Sequence, residues 1–392
     1  FFETEKVTKI LAKIAPPVML AQLMQALYNI VDSFFVGKYS GNALTALSVI
    51  YPLQLIIIAL AVGTGVGVNT YMARKFALGR EDEADEGAGT GMVLEIATWL
   101  IFALLSLIFM RRYVMTSAKS ADAIEYGVSY GTIVCVGSLG AFLEGNWSKV
   151  HQSYGNMRLP MIAQITGAVV NIILDPILIF GIGPFKGIGV AGAAYATIAG
   201  QFAAAVITGI KGYRKPPVLK KLLHYAKRIY QYGYPSIVMQ SLYTVYIVAL
   251  NIILASFSDY AVTVLGLYYK VQTFFFIPLA GLHTCIVPVL SYNFAISAYK
   301  RCKEIMTTSF IISLIFMVLG MLCFIFIPDK IIGVFTKETQ VLEIGRIAFP
   351  IIGCSFISAV FSLMLPVFFQ AIGSGLKSLF LSLLRQIFCL IP

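Results

Sequence analysis

At 392 residues the chain is 59% hydrophobic and only 12% charged, with a mean hydropathy of +0.85, which excludes a soluble globular protein of this length. Its net charge of +11 would suit a nucleic-acid partner if the basic residues formed one patch. They are instead distributed between apolar runs, so they report membrane topology and no nucleic-acid partner is expected.

Eleven stretches can cross a hydrocarbon layer about 30 Å thick. They lie near 14–37, 46–73, 88–110, 124–147, 158–181, 188–210, 231–255, 262–295, 306–328, 340–370 and 376–392, and they predict an all-α polytopic membrane protein. With the N-terminus inside, 19 Lys and Arg fall on inner segments, seven fall on outer loops, and three (Lys270, Arg346 and Arg385) fall within spans. That bias predicts a multi-pass protein of an inner (plasma) membrane with a cytoplasmic N-terminus, although Arg111 and Arg112 run against it.

The first span contains YNIVDSFFVG, 28–37, and so sets Asp32 near the end of an otherwise apolar helix. A charge there costs roughly 2.5–3.5 kcal/mol on insertion scales, which makes the residue a functional candidate in search of a partner. After the second span comes an acidic run, REDEADE at 80–86, expected to be a solvated loop. Glu95 and Glu144 lie inside the third and fourth spans. In the fifth span, NIILDP places Asn171 and Asp175 four residues apart on one helix face. Pro176 follows at once, removing a backbone donor and freeing the carbonyl of Ile172.

The sixth span carries Thr197, and the basic stretch KGYRKPPVLKKLLHYAKR, 211–228, reads as a cytoplasmic linker whose end could lie along the inner surface. Farther on, Lys270 is embedded in the eighth span, while Arg346 and Arg385 are expected to reach an interface by snorkelling. The six cysteines lack CxxC spacing and read as unpaired packing residues, so neither a disulfide framework nor a firm metal site follows.

Sliding the chain against itself by 218 positions aligns Pro17 with Pro235, Gln22 with Gln240, Tyr28 with Tyr246, Tyr51 with Tyr269 and Gln54 with Gln272. The same offset pairs Gly63 with Gly281, Gln152 with Gln370 and Gly155 with Gly373. Gln, Pro and Gly are scarce enough that one gapless offset signals an internal repeat. Six spans per half make the repeats parallel, related by a pseudo-two-fold axis along the membrane normal. The expected organisation is an N-terminal lobe at 1–210, the linker at 211–228 and a C-terminal lobe at 229–392. Shifting 188–210 by the repeat distance calls for a twelfth span beyond Pro392, so the sequence in hand is expected to hold eleven of twelve helices.

The repeat separates shared residues from specialised ones. Asp32 faces Leu250, and Asn171 faces Cys389. At 1.5 Å per residue, Asp32 and Asp175 each stand about 26 Å above the inner start of their spans, and Thr197 descends to within side-chain range of Asn171. Two carboxylates, an amide and a hydroxyl therefore share one layer. Two acids close together in low dielectric cannot both stay ionised cheaply, which suits a proton relay, and the same oxygens suit a small hard cation such as Na⁺.

These stretches resemble the multidrug and toxic compound extrusion (MATE) transporters. The resemblance rests on PPVMLAQLMQALYNIVDSFFVG, on QSYGNMRLP with its echo QAIGSGLKS, on AVVNIILDPILIFG and on GVAGAAYATIAGQ. It implies two six-helix lobes in a V, alternating access, and antiport of organic cations against H⁺ or Na⁺. It also implies a coupling site at Asp32, Asn171, Asp175 and Thr197. A second branch carries acids in the seventh and tenth helices, where this chain has Gln240 and no acid between Gly345 and Gln370. Gln22, Tyr28, Gln54, Gln240, Tyr246, Gln272 and Met364 are candidates for a substrate cavity, although aromatic and Met residues at helical spacing are more often core.

The expected function is therefore ion-coupled multidrug efflux by a monomer, with cationic drugs and membrane lipid as partners and no cofactor besides the coupling ion. A flippase for lipid-linked saccharides would need cations lining its cavity, for which Lys270 is the one obvious candidate. An intramembrane enzyme would need a constellation such as HExxH, whereas His151, His224 and His283 are scattered.

Overall fold

The computed structural model describes residues 2–116, 120–181, 186–257, 259–333 and 339–385. Among these residues the chain forms thirteen α-helices. They are α1 (Val7–Tyr39), α2 (Gly41–Ala77), α3 (Glu81–Met115), α4 (Ala121–Gly137), α5 (Leu139–Ser153), α6 (Arg158–Pro176) and α7 (Val190–Gly209), followed by α8 (Leu219–Ala255), α9 (Asp259–Ala295), α10 (Tyr299–Phe326), α11 (Pro328–Gly333), α12 (Thr339–Ala371) and α13 (Gly375–Leu383).

Nine helical stretches among the described residues are long and apolar enough to cross a membrane, with α4 and α5 counted together. The other two expected spans fall on α8 and α13. The α4–α5 break lies at Ser138, whose hydroxyl turns back to the Cys135 carbonyl at 2.8 Å. The nearby Val136 carbonyl accepts from Trp99 Nε1 at 2.9 Å, so the interrupted helix leaves it satisfied.

Two compact units emerge. One comprises Phe1–Met19 and Met239–Pro392, and the other Leu20–Val238. The divisions therefore fall inside α1 and α8, a few residues beyond Pro17 and Pro235, whereas the lobe boundaries proposed from the repeat fall in the linker.

The repeat is visible in backbone detail. Gly155 (φ +80°) and Gly373 (φ +82°) both adopt the left-handed conformation after a helix. Each donates to the carbonyl three residues back, at 2.9 Å to Gln152 and 3.0 Å to Gln370. The α2–α3 and α9–α10 turns match in the same way, with Gly79 at φ +68° and its mate Ser297 at φ +60°. Their N–H groups reach Phe76 and Phe294 at 3.1 and 3.0 Å. Close helix contacts repeat too. A Cβ on Gly63 would meet Ile237 Cγ1 at 2.2 Å, and one on Gly281 would meet Met19 Cγ at 2.6 Å, both pairs separated by the same offset.

The REDEADE run is not a loop. Its acids form the first turns of α3, where carboxylates complement the positive end of the helix. They also hold basic residues nearby: Glu83 pairs with Lys75 and Arg80, Asp85 with Arg214 at 2.7 Å, and Glu86 with Lys221 at 3.0 Å and with Tyr225. The linker is thereby tied down beside α3, where a Cβ on Gly89 would strike the Lys215 carbonyl at 2.4 Å.

Candidate functional site

The geometry of the Leu20–Val238 unit starts with two glycines. A Cβ on Gly167 of α6 would lie 2.7 Å from the Gly200 carbonyl of α7, and one on Gly200 would lie 2.5 Å from the Gly167 carbonyl. Only hydrogen at both positions lets the backbones cross so closely. One turn along from this crossing, Asn171 on α6 faces Thr197 on α7.

With its nitrogen toward the acid, the Asn171 amide donates to Asp175 Oδ2 at 3.3 Å and accepts from the Thr197 N–H at 3.0 Å. Turned the other way, its nitrogen lies 3.3 Å from Thr197 Oγ1. The first orientation matches every donor with an acceptor. Asp175 ends α6 just before Pro176, after which the helix widens into a π-helical turn, Ile177–Gly181. The chain returns along that turn, with Ile188 N–H donating to the Leu178 carbonyl at 2.8 Å.

Asp175 is 0% exposed and Asp32, on α1, is 8% exposed. The two carboxylates act on each other electrostatically. Oδ1 of each is buried without a hydrogen-bond partner among the described residues. The structure thus brings Asn171, Asp175 and Thr197 into one bonded set, with Asp32 beside it. Unpaired buried oxygens on two neighbouring acids suit a proton or a small hard cation, which would supply the missing partner.

Two tyrosines join this set. Tyr28 interacts electrostatically with both acids. Tyr130 on α4 is 1% exposed, feels the charge of Asp32 and lies close to Thr197. Its hydroxyl also accepts from Gln54 Nε2 at 3.2 Å. Sequence reasoning overlooked Tyr130, although its repeat mate, Ala348, marks it as specific to one half.

The remaining candidates are less concentrated. Gln22 and Gln240 are half-buried. Tyr246 and Gln272 are buried in the other unit. Met364 is 0% exposed, so it packs in the core instead of facing a cavity. Glu144 bonds to Ser148, whereas Glu95 is fully buried with both carboxylate oxygens unpartnered. Arg346 forms a bidentate pair with Asp329 on α11. Arg385 lies near Tyr243, Tyr246 and Tyr268, whose electrostatics act on it. Lys270's side chain and Cys389 lie outside the described residues. Among the described residues, no group of three or more His, Cys, Asp or Glu could hold a metal ion.

Comparison with known proteins places the fold and the family. The chain is 24% identical over 381 residues to an FAD transporter of Shewanella oneidensis, an alignment spanning 93% of this chain and 82% of that protein. It is likewise 24% identical over 397 residues to the multidrug export protein MepA of Staphylococcus aureus, spanning 99% of this chain and 86% of that one. Its fold matches a multidrug resistance MATE family transporter of the MOP superfamily, solved in an outward-facing conformation. That match has a TM-score of 0.90 at 21% identity and covers 98% of this chain and 87% of the other. The MatE family model matches twice, at 17–177 and 235–392, with starts separated by the repeat distance. On that double match, the chain belongs to the MatE family, that of the MATE transporters.

Proposed function

We propose that this protein is a secondary antiporter that exports small organic molecules, organic cations foremost, across a plasma membrane by alternating access. Inward flow of H⁺ or Na⁺ drives the export. The kinship with MepA and other multidrug exporters supports efflux, and the bias of basic residues supports a cytoplasmic N-terminus. Asp32, Asn171, Asp175 and Thr197 form the coupling site, with Tyr28 and Tyr130 positioning its hydrogen bonds.

The observation that carries this reading is the pair of buried, interacting carboxylates, each with an oxygen left unpartnered. In one transport state the site holds the ion that satisfies those oxygens; in the other it releases that ion to the inner side. Moving one charge through 100 mV supplies about 2.3 kcal/mol, comparable with the roughly 2.7 kcal/mol of a hundredfold affinity change between states. The gradient is therefore large enough to reset the site.

The test is dye efflux from proteoliposomes under an imposed proton gradient and, separately, an imposed sodium gradient. Asp32→Asn is expected to abolish gradient-driven export while leaving folded protein that still binds the dye. Export by Asp32→Asn with unchanged ion dependence would overturn the assignment, and the gradient that drives the wild type identifies the ion.

A further inference from the structure

The second unit contains a charge of opposite sign that the coupling scheme does not use. Arg385 stands just past α13, in a segment expected to cross the membrane, about 15 Å above the helix start. Its repeat mate is Gly167, the position that allows α6 and α7 to cross, so Arg385 is no part of the architecture shared by the two halves. A guanidinium at this depth is costly unless something pairs with it.

Among the described residues its surroundings are aromatic and polar but not acidic. Arg385 interacts electrostatically with Tyr243, Tyr246 and Tyr268, and its charge also acts on His283 of α9. Contacts between helices agree with this placement. Ser378 of α13 touches Met239 of α8 through Oγ and Sδ at 3.8 Å, and two turns farther along the two helices come Arg385 and Tyr246.

The rings form a continuous set. Tyr243 and Tyr246 meet edge to face at 5.2 Å, Tyr246 and Tyr269 at 6.4 Å, and Tyr268 and Tyr269 at 5.2 Å. Among the described residues no carboxylate acts on Arg385. Asp329, an acid of the same unit, is already bonded to Arg346. Nε2 of His283 is buried with no hydrogen-bond partner.

A planar guanidinium presents a fork of donors that fits the two oxygens of a carboxylate or phosphate. Tyrosine hydroxyls add further donors, and their rings offer faces and edges to a flat aromatic body. We propose that this unit binds the oxyanion group of flat aromatic substrates, anionic or zwitterionic, with Arg385 as the counter-ion and the Tyr243, Tyr246, Tyr268 and Tyr269 rings flanking the aromatic body. The proposal rests on the efflux reading and extends its substrates beyond organic cations.

Two xanthene dyes of nearly the same shape and opposite charge test it: fluorescein, which carries a carboxylate, and rhodamine 6G, a cation. Binding is measured by fluorescence polarisation on detergent-purified protein, and export from proteoliposomes. Wild type is expected to bind both dyes. Arg385→Gln is expected to weaken fluorescein by about tenfold or more, the loss of a charge-assisted hydrogen bond, and to leave rhodamine 6G within about twofold. Arg385→Lys, which keeps the charge without the fork, should fall between. Size-exclusion profiles identify any variant that fails to fold, in which case Arg385→Lys carries the comparison.

Equal weakening of both dyes would overturn the proposal in favour of a packing role for Arg385. Rhodamine 6G exported by a wild type that does not bind fluorescein would overturn it and leave the efflux reading standing. Export of neither dye would overturn both.

Discussion

A single side chain can show where the two halves of this protein diverged. Gly79 and Ser297 occupy equivalent turns with nearly the same positive φ and the same hydrogen bonds, yet only glycine adopts that conformation without a steric cost. Ser297 carries strain of order 1 kcal/mol, so Ser297→Gly is expected to raise the thermal midpoint of the solubilised protein and Gly79→Ser to lower it. No rise in the first variant would mean that the serine hydroxyl offsets the strain. Much of the candidate site was legible at this scale. Asp32 and Asp175 stood out by cost, and counting rises put Asn171 level with Thr197 before any geometry was known. The unpartnered oxygens and the bond from Gln54 to Tyr130 were not legible, because they depend on how α4 packs against its neighbours. The tyrosines around Arg385 were not legible for the same reason: they lie more than a hundred positions away in the chain.

Among the helices, the α6–α7 crossing controls the site. Replacing Gly200 with Ala drives a methyl group to 2.5 Å from the Gly167 carbonyl, and because both partners are backbone the helices must separate. Gly200→Ala is expected to break the Asn171–Thr197 contact and reduce gradient-driven export at least tenfold. Gly209→Ala, in the same helix, meets only the Trp147 ring at 3.1 Å and should export normally. Equal activity of the two variants would show that the crossing does not position the site. The helices themselves were legible from hydrophobic runs. The start of α3 was not, because an acidic cluster suits both a loop and a helix N-terminus. Its pairing with Arg214 and Lys221, over a hundred residues onward, tipped the balance. The widening after Pro176 likewise depends on the returning chain at Ile188.

For the whole chain, the offset of 218 relates the matching turns and the paired contacts Gly63–Ile237 and Gly281–Met19. These contacts differ in one respect. A Cβ on Gly63 would also lie 2.9 Å from the Ile237 backbone nitrogen, whereas one on Gly281 chiefly meets the flexible Met19 side chain. Gly63→Ala is therefore expected to lower the thermal midpoint more than Gly281→Ala, and the reverse order would mean that the two repeats tolerate crowding differently. What the sequence could not reveal is the division into compact units, because neither α1 nor α8 changes composition where it passes from one unit to the other. That division bears on how the protein is made. Synthesis runs from the N-terminus, yet residues 1–19 belong with a unit whose other members begin at Met239. That early segment must therefore wait until the chain beyond Met239 has been made before it can find its neighbours.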